Sequence, residues 1–197
     1  MNMEKELTLL EIIKKYDLNK DRSSGTDKIR NHSYIDIYEN IFKKRKYDVL
    51  TILEIGTLFG GSGLLWHKYF VNSKIILLDI QDRTIRKHMS QFDKNKYEKI
   101  VANAYSDEMV NTIKQKYPEG IDIAIDDGPH TIQSQLDFIR LYMPLINKNG
   151  LLIIEDIKTL EHANTIKDSL PNKDKALIYD LRHVKDRYDD IMLVVNL

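Results

Sequence analysis

Two short acidic segments, Asp126-Asp127-Gly128-Pro129-His130 and Glu155-Asp156, each follow a run of apolar residues. The first run is Ile121 to Ile125, interrupted by Asp122, and the second is Leu151 to Ile154. Apolar runs of this length, bounded by turn residues, read as buried strands. The carboxylates then lie at strand ends, where an α/β sheet opens its ligand crevice. Converging carboxylates repel one another unless positive charge lies between them, and a hard divalent cation such as Mg²⁺ would supply it. His130 follows Asp127 by three residues, near enough to act as a base beside that cation. The competing reading is that these acids and His130 only cap the helices that follow.

A second chemical signature is Leu53-Glu54-Ile55-Gly56-Thr57-Leu58-Phe59-Gly60-Gly61-Ser62-Gly63. Glycine lets backbone pass close to a ligand and adopt positive φ. The pattern is not the G-x-G-x-x-G of dinucleotide sites, because three larger residues follow Gly56. A carboxylate at Glu54 would also repel a pyrophosphate. It suits a cationic group, such as the amino group of S-adenosylmethionine. Asp79, 23 residues beyond Gly56, ends the next apolar run. That is the place of an acid that holds both ribose hydroxyls, although NAD would use the same acid.

The elements that must carry these residues follow from periodicity. Leu7, Leu10, Ile13 and Tyr16 predict a helix over 4–16; residues 19–27 are polar and read as a loop. A second helix is expected over 33–44, with Ile37, Ile41 and Phe42 turned inward. From Val49 onward strands at 49–55, 74–78, 97–101, 121–125 and 151–154 alternate with helices. One helix follows the glycine turn and carries Leu64, Leu65, Trp66 and Phe70; the others are expected at 106–117, 131–142 and 159–170. Residues 118–120 and 147–150 read as turns, and 176–181 with 191–196 as a closing antiparallel pair. Alternating strands and helices imply right-handed crossovers. The fold class is therefore α/β, a doubly wound, seven-stranded, mostly parallel sheet with N-terminal helices. The expected division is a helical cap at 1–47 and a ligand-binding domain at 48–197.

Composition excludes several classes. The 30 basic and 30 acidic residues cancel, so no global field favours nucleic acid or membrane. The basic run Lys43-Lys44-Arg45-Lys46 reads as a solvated helix end. With no cysteine, disulfides, zinc–thiolate sites and cysteine nucleophiles are excluded. Residues 1–6 lack the apolar core of a signal peptide, and no apolar run approaches the ~18 residues of a membrane span. A cytoplasmic protein is expected.

With these residues in place the chain resembles the class I S-adenosylmethionine-dependent methyltransferases, over about residues 48–196. The terminal strand pair suits that variant of the Rossmann-like sheet. More narrowly it resembles the Mg²⁺-dependent O-methyltransferases that modify macrolide sugars. That match rests on Gly25-Thr26-Asp27-Lys28 with His32 and Tyr34, the Glu54-to-Gly63 turn, Asp126 to His130, and Glu155-Asp156. The resemblance implies that Asp127, Glu155 and Asp156 hold Mg²⁺ and that His130 is the base. Asp126 would stand behind them or face the cofactor. Glu54, Gly56, Gly60, Gly61, Ser62, Asp79, Asn103 and Ala104 would bind S-adenosylmethionine, and His32 and Tyr34 would sit at the acceptor mouth. Two departures stand out. Pro129 replaces a usual serine, and an aspartate usual near Asn103-Ala104 is missing.

The implied reaction is methyl transfer to a hydroxyl of a sugar or glycosylated small molecule. The implied partner is that acceptor, with no nucleic acid or membrane, and a homo-oligomer could complete an open acceptor pocket. Three rivals stay open: a catechol-type O-methyltransferase, an NAD oxidoreductase and a non-catalytic S-adenosylmethionine-binding protein. Glu54 and the missing dinucleotide fingerprint count against the second. Arg182, His183, Arg187 and Tyr188 precede the last strand and read by default as a solvated loop.

Overall fold

Among the described residues, seven strands form one sheet: β1 (Thr51–Ile55), β2 (Lys74–Asp79), β3 (Tyr97–Val101), β4 (Ile121–Asp126), β5 (Ile146–Ile154), β6 (Ala176–Asp180) and β7 (Ile191–Asn196). Their spatial order in this computed structural model is β3-β2-β1-β4-β5-β7-β6. The structure describes residues 6–19 and 25–197; the start of the first expected helix and residues 20–24 of the expected loop lie outside them. The first five strands pair in parallel, and β7 runs antiparallel between β5 and β6. The expected sheet and its closing antiparallel pair are thus present.

The helices are α1 (Leu9–Lys15), α2 (Asp27–Arg30), α3 (Ile35–Phe42), α4 (Gly61–Tyr69), α5 (Arg86–Met89), α6 (Asp107–Lys116), α7 (Ile132–Tyr142), α8 (Leu160–Asp168) and α9 (Arg182–Lys185). Among the described residues, side-chain caps set five starts: Thr8, Thr26, Ser106, Thr131 and Thr159 each accept a hydrogen bond from the first turn. That capping explains why the first helix begins at Leu9 and leaves out residues 6–8 of the expected span.

Other boundaries differ from expectation. Val49 is exposed and precedes β1. The expected turn at 147–150 is the irregular first half of β5, where the register with β4 shifts. The short helices α2, α5 and α9 fall in segments that sequence periodicity cannot resolve, because one turn shows no repeat. Among the described residues, no helix is long and apolar enough to cross a membrane.

Strand alternation sorts the core into two layers. Ile52, Ile75, Leu77, Ile123, Ile125 and Ile153 pack with α1, α3 and α4. Leu53, Ile76, Leu78, Ala124, Leu152 and Ile154 face α6, α7 and α8. Parallel register then levels the carboxyl ends of three central strands: Ile55 pairs with Asp126, and Asp126 with Ile154. The ladder continues past the ends, as Asp127 N–H donates to Ile55 O (3.0 Å) and Glu155 N–H to Asp126 O (3.0 Å).

Gly56 makes this closeness possible. Its φ is +82°, and a Cβ there would lie 1.9 Å from the Asp127 carbonyl oxygen. Gly56→Ala should therefore cost more than about 2 kcal/mol, since both strain and a backbone collision oppose it. Gly63→Ala, whose Cβ would meet only the rotatable Leu77 side chain, should cost distinctly less. Urea unfolding of the two variants checks this; equal stabilities would refute the close-approach account.

Candidate active site

The level strand ends open into a cleft of about 760 Å³. One half is lined by Gly56, Gly61, Ser62, Asp79, Asn103 and Ala104, all expected cofactor residues. The other half is lined by Asp127, His130 and Asp156. The cleft size is ordinary for a small-molecule site.

Asp79 receives Leu58 N–H (2.8 Å) and Gln81 N–H (3.0 Å), which fixes its carboxylate at the end of β2. Each oxygen keeps a lone pair for a further donor. Gly60, in the left-handed region at φ +83°, turns the chain into α4, whose first residues Gly61 and Ser62 line the cleft. Asn103 Oδ1 accepts Tyr105 N–H (3.1 Å), which shapes the loop after β3.

Glu54 does not face this cleft. It continues the Ile52 side of β1, toward α3 and α4, and is wholly buried. Its carboxylate accepts Ser62 Oγ–H (2.8 Å) and Trp66 Nε1–H (3.1 Å), and lies 3.5 Å from Lys28 Nζ. In this structure Glu54 braces the turn from beneath, and it is not among the residues that line the cleft.

Lys28 is a residue beneath the cleft that the sequence reading left without a role. It is fully buried, and its Nζ donates to Asp127 Oδ2 (2.8 Å) and Glu155 Oε2 (2.7 Å). Burial disfavours its charge, but Asp127, Glu155 and Glu54 outweigh that and hold its pKa well above the ordinary lysine value. Glu155 gives its other oxygen to the Tyr38 hydroxyl. It is 1% exposed and does not line the cleft, unlike the expected metal ligand.

Asp127, His130 and Asp156 do converge. Each offers a ligand atom, and these atoms lie within 4.8 Å of one another. His130 Nε2 is 3.9 Å from Asp127 Oδ1 and 3.8 Å from Asp156 Oδ2. Burial, then Asp127 and Asp27, push the Asp156 pKa up to about 8. Burial is the larger part of that shift and the neighbouring carboxylates the lesser, and a bound cation would oppose both. Two carboxylates and an imidazole fit a divalent ion; the oxygens suit hard Mg²⁺ better than the nitrogen does.

His32 and Tyr34 are not at the acceptor mouth. Both are buried behind Asp156, stacked with ring centroids 4.9 Å apart. Tyr34 O–H donates to Asp156 Oδ1 (2.9 Å) and accepts Asp156 N–H (3.2 Å). His32 Nδ1 lies 3.2 Å from the same Oδ1. Asp126 is also buried, on the opposite side of the sheet, where Tyr105 O–H binds it. Burial raises its pKa to about 7. Arg187 and Tyr188 line the cleft, contrary to the solvated-loop default, whereas Arg182 pairs with Asp180.

No known family model matches the chain. It is 28% identical over 142 residues to the 8-demethyl-8-α-L-rhamnosyl tetracenomycin-C 2′-O-methyltransferase of Streptomyces olivaceus, covering 68% of this chain and 36% of that enzyme. It is 29% identical over 136 residues to the mycinamicin VI 2″-O-methyltransferase of Micromonospora griseorubida, covering 65% and 32%. An uncharacterized protein of Acanthamoeba polyphaga mimivirus is 30% identical over 131 residues, covering 64% and 59%. The matches thus span less than two thirds of each relative. Among solved structures, the MycE methyltransferase with Mg, SAH and mycinamycin VI superposes with a TM-score of 0.71 at 20% identity, covering 98% of this chain and 55% of MycE. An O-methyltransferase from Bacillus cereus with SAH gives 0.62 at 13%, covering 100% and 94%. This is the class I methyltransferase fold. The resemblance seen in the motifs is to the same group of proteins that the comparisons find.

Within this fold, Tyr34 is the residue that anchors Asp156 to the cleft wall. Tyr34→Phe should remove about 1–3 kcal/mol of stability, because it strips a partner from a buried carboxylate and a buried N–H. Chemical denaturation measures this, and a loss below about 0.5 kcal/mol would mean that Asp156 is held by other groups.

Proposed function

We propose that the chain transfers a methyl group from S-adenosylmethionine to a hydroxyl of a sugar or glycosylated small molecule, with Mg²⁺ bound at the acceptor end. The single observation behind this reading is the trio Asp127, His130 and Asp156 in one cleft with Asp79 and the glycine turn. The names of the two antibiotic-modifying relatives support a sugar hydroxyl as the acceptor.

Each residue has a role that its position allows. Asp79 takes ribose hydroxyls with its remaining lone pairs, and the Gly56–Ser62 turn lets backbone lie against the methyl donor. Asp127 and Asp156 hold the cation. When bound, Mg²⁺ would supply the positive charge that eases removal of a hydroxyl proton. His130, half-exposed to the cleft, accepts that proton at Nε2. Asp127 and Asp156, both within 4 Å of Nε2, then stabilise the imidazolium. A sugar hydroxyl is a poor nucleophile, so a base matters more than it would for a phenol.

Asp79→Ala should weaken S-adenosylmethionine binding by about 1–3 kcal/mol in calorimetric titration, the cost of a lost bond to a charged group. Parent-like affinity would misplace the donor site. In a methyl-transfer assay, EDTA should abolish turnover and Mg²⁺ restore it. His130→Ala should lower kcat ~10²-fold or more with S-adenosylmethionine affinity nearly unchanged. His130→Gln should not rescue it, since an amide cannot take the proton. The acceptor panel should include a rhamnosyl glycoside and a catechol; transfer to the catechol alone would sink the sugar reading.

A further inference from the structure

We propose that Lys28 is a positioning residue that decides which carboxylates a divalent cation can use. The inference rests on the reading of Asp127 and Asp156 as the cation's ligands. Lys28 occupies the position between carboxylates that a metal ion would otherwise fill. Its Nζ lies 2.8 Å from Asp127 Oδ2, 2.7 Å from Glu155 Oε2 and 3.5 Å from Glu54 Oε1, with no solvent exposure. Tyr38 O–H takes the remaining Glu155 oxygen, so both oxygens of that residue are engaged. Asp127 is left with Oδ1 toward His130. A cation in the cleft thus meets Oδ1 of Asp127 and Oδ2 of Asp156, whose Oδ1 accepts the Tyr34 O–H, and the buried Glu155 is withheld.

The ammonium is delivered by a built segment, not by a chance side-chain rotamer. Thr26 caps α2 by accepting Lys28 N–H (3.4 Å), and Thr26 N–H donates to Leu18 O (2.9 Å). The Gly25 carbonyl presses on α4 at Gly61, where a Cβ would lie 2.1 Å from its oxygen. Removing the Lys28 charge would leave Glu54, Asp127 and Glu155 without a counter-ion, and a metal would become the available one. Loosening a purely structural contact would weaken cation binding. Removing a resident counter-ion would strengthen it, and that sign separates the two roles.

The test is calorimetric titration of purified protein with MnCl₂, without methyl donor or acceptor, alongside thermal melts. Lys28→Met should bind Mn²⁺ at least about tenfold more tightly than the parent. Its melting temperature should be lower without metal and rise more on adding it. Glu155→Gln should leave parental Mn²⁺ affinity close to unchanged, and combined with Lys28→Met it should erase the gain. Equal or weaker Mn²⁺ binding by Lys28→Met overturns the proposal. So does a loss of about tenfold or more in Glu155→Gln, the usual signature of a disturbed metal ligand. The Glu155→Gln result decides alone if Lys28→Met does not fold. A parent that binds Mn²⁺ as expected but methylates nothing would refute the proposed reaction and leave this inference standing.

Discussion

Glu54, Asp127 and Glu155 converge on the ammonium of Lys28, which is closed to water together with Glu54 and Glu155, while Asp127 keeps one side toward the cleft. Placing any one of these charges there unpaired would cost several kcal/mol, so none of them can be buried without the others. The partners are far apart in the chain: Lys28 is 99 residues from Asp127 and 127 from Glu155. The contact therefore ties the segment before α3 to the ends of β1, β4 and β5 at once. Trp66 and Tyr38 complete the seal, each hydrogen-bonded to one of the carboxylates. Everything that faces the cleft rests on this closed layer.

Strand parity explains why these carboxylates and not their neighbours reach Lys28. Ile52, Ile125 and Ile153 face α3 and α4, and two residues further on each strand stand Glu54, Asp127 and Glu155. Asp126 has the opposite parity and is buried with Tyr105 on the other side of the sheet. Tyr34 and Tyr38 are four residues apart, one helical turn, and their hydroxyls take the consecutive acids Asp156 and Glu155. The acid pair is thus held by one face of one helix.

Much of this was legible in the chain. Apolar runs, glycine turns and cap residues located the strands and long helices, because those signals act over several residues. The acids at strand ends were legible for the same reason. The charge argument was also sound: the carboxylates do need positive charge between them. It did not identify the source, because Lys28 sits on a four-residue helix with no periodicity to announce it. Nor did motif spacing separate Glu155 from Asp156. Counting parity from Ile153 would have turned Glu155 inward, and counting from Ile52 would have done the same for Glu54. His32 and Tyr34 were located near the site by their motif, but only three-dimensional packing shows that they stand behind Asp156.

The cleft side escapes the alternation by bending the backbone. His130 and Asp156 both adopt left-handed φ, 54° and 53°, without being glycine. Such a conformation is unfavourable for these residues and persists only where surroundings enforce it. For Asp156 the enforcement is visible: Tyr34 accepts its N–H and donates to its carboxylate. The turn at Asp156 breaks strand parity immediately after Glu155, so adjacent acids enter different layers. One neutralises a buried lysine, and the other turns its carboxyl to the cleft beside Asp127. The cleft floor thus sets two carboxyl groups against one imidazole, and the raised Asp156 pKa would fall when a cation joins them. That imbalance favours cationic ligands, and both a divalent metal and a sulfonium methyl donor are cations.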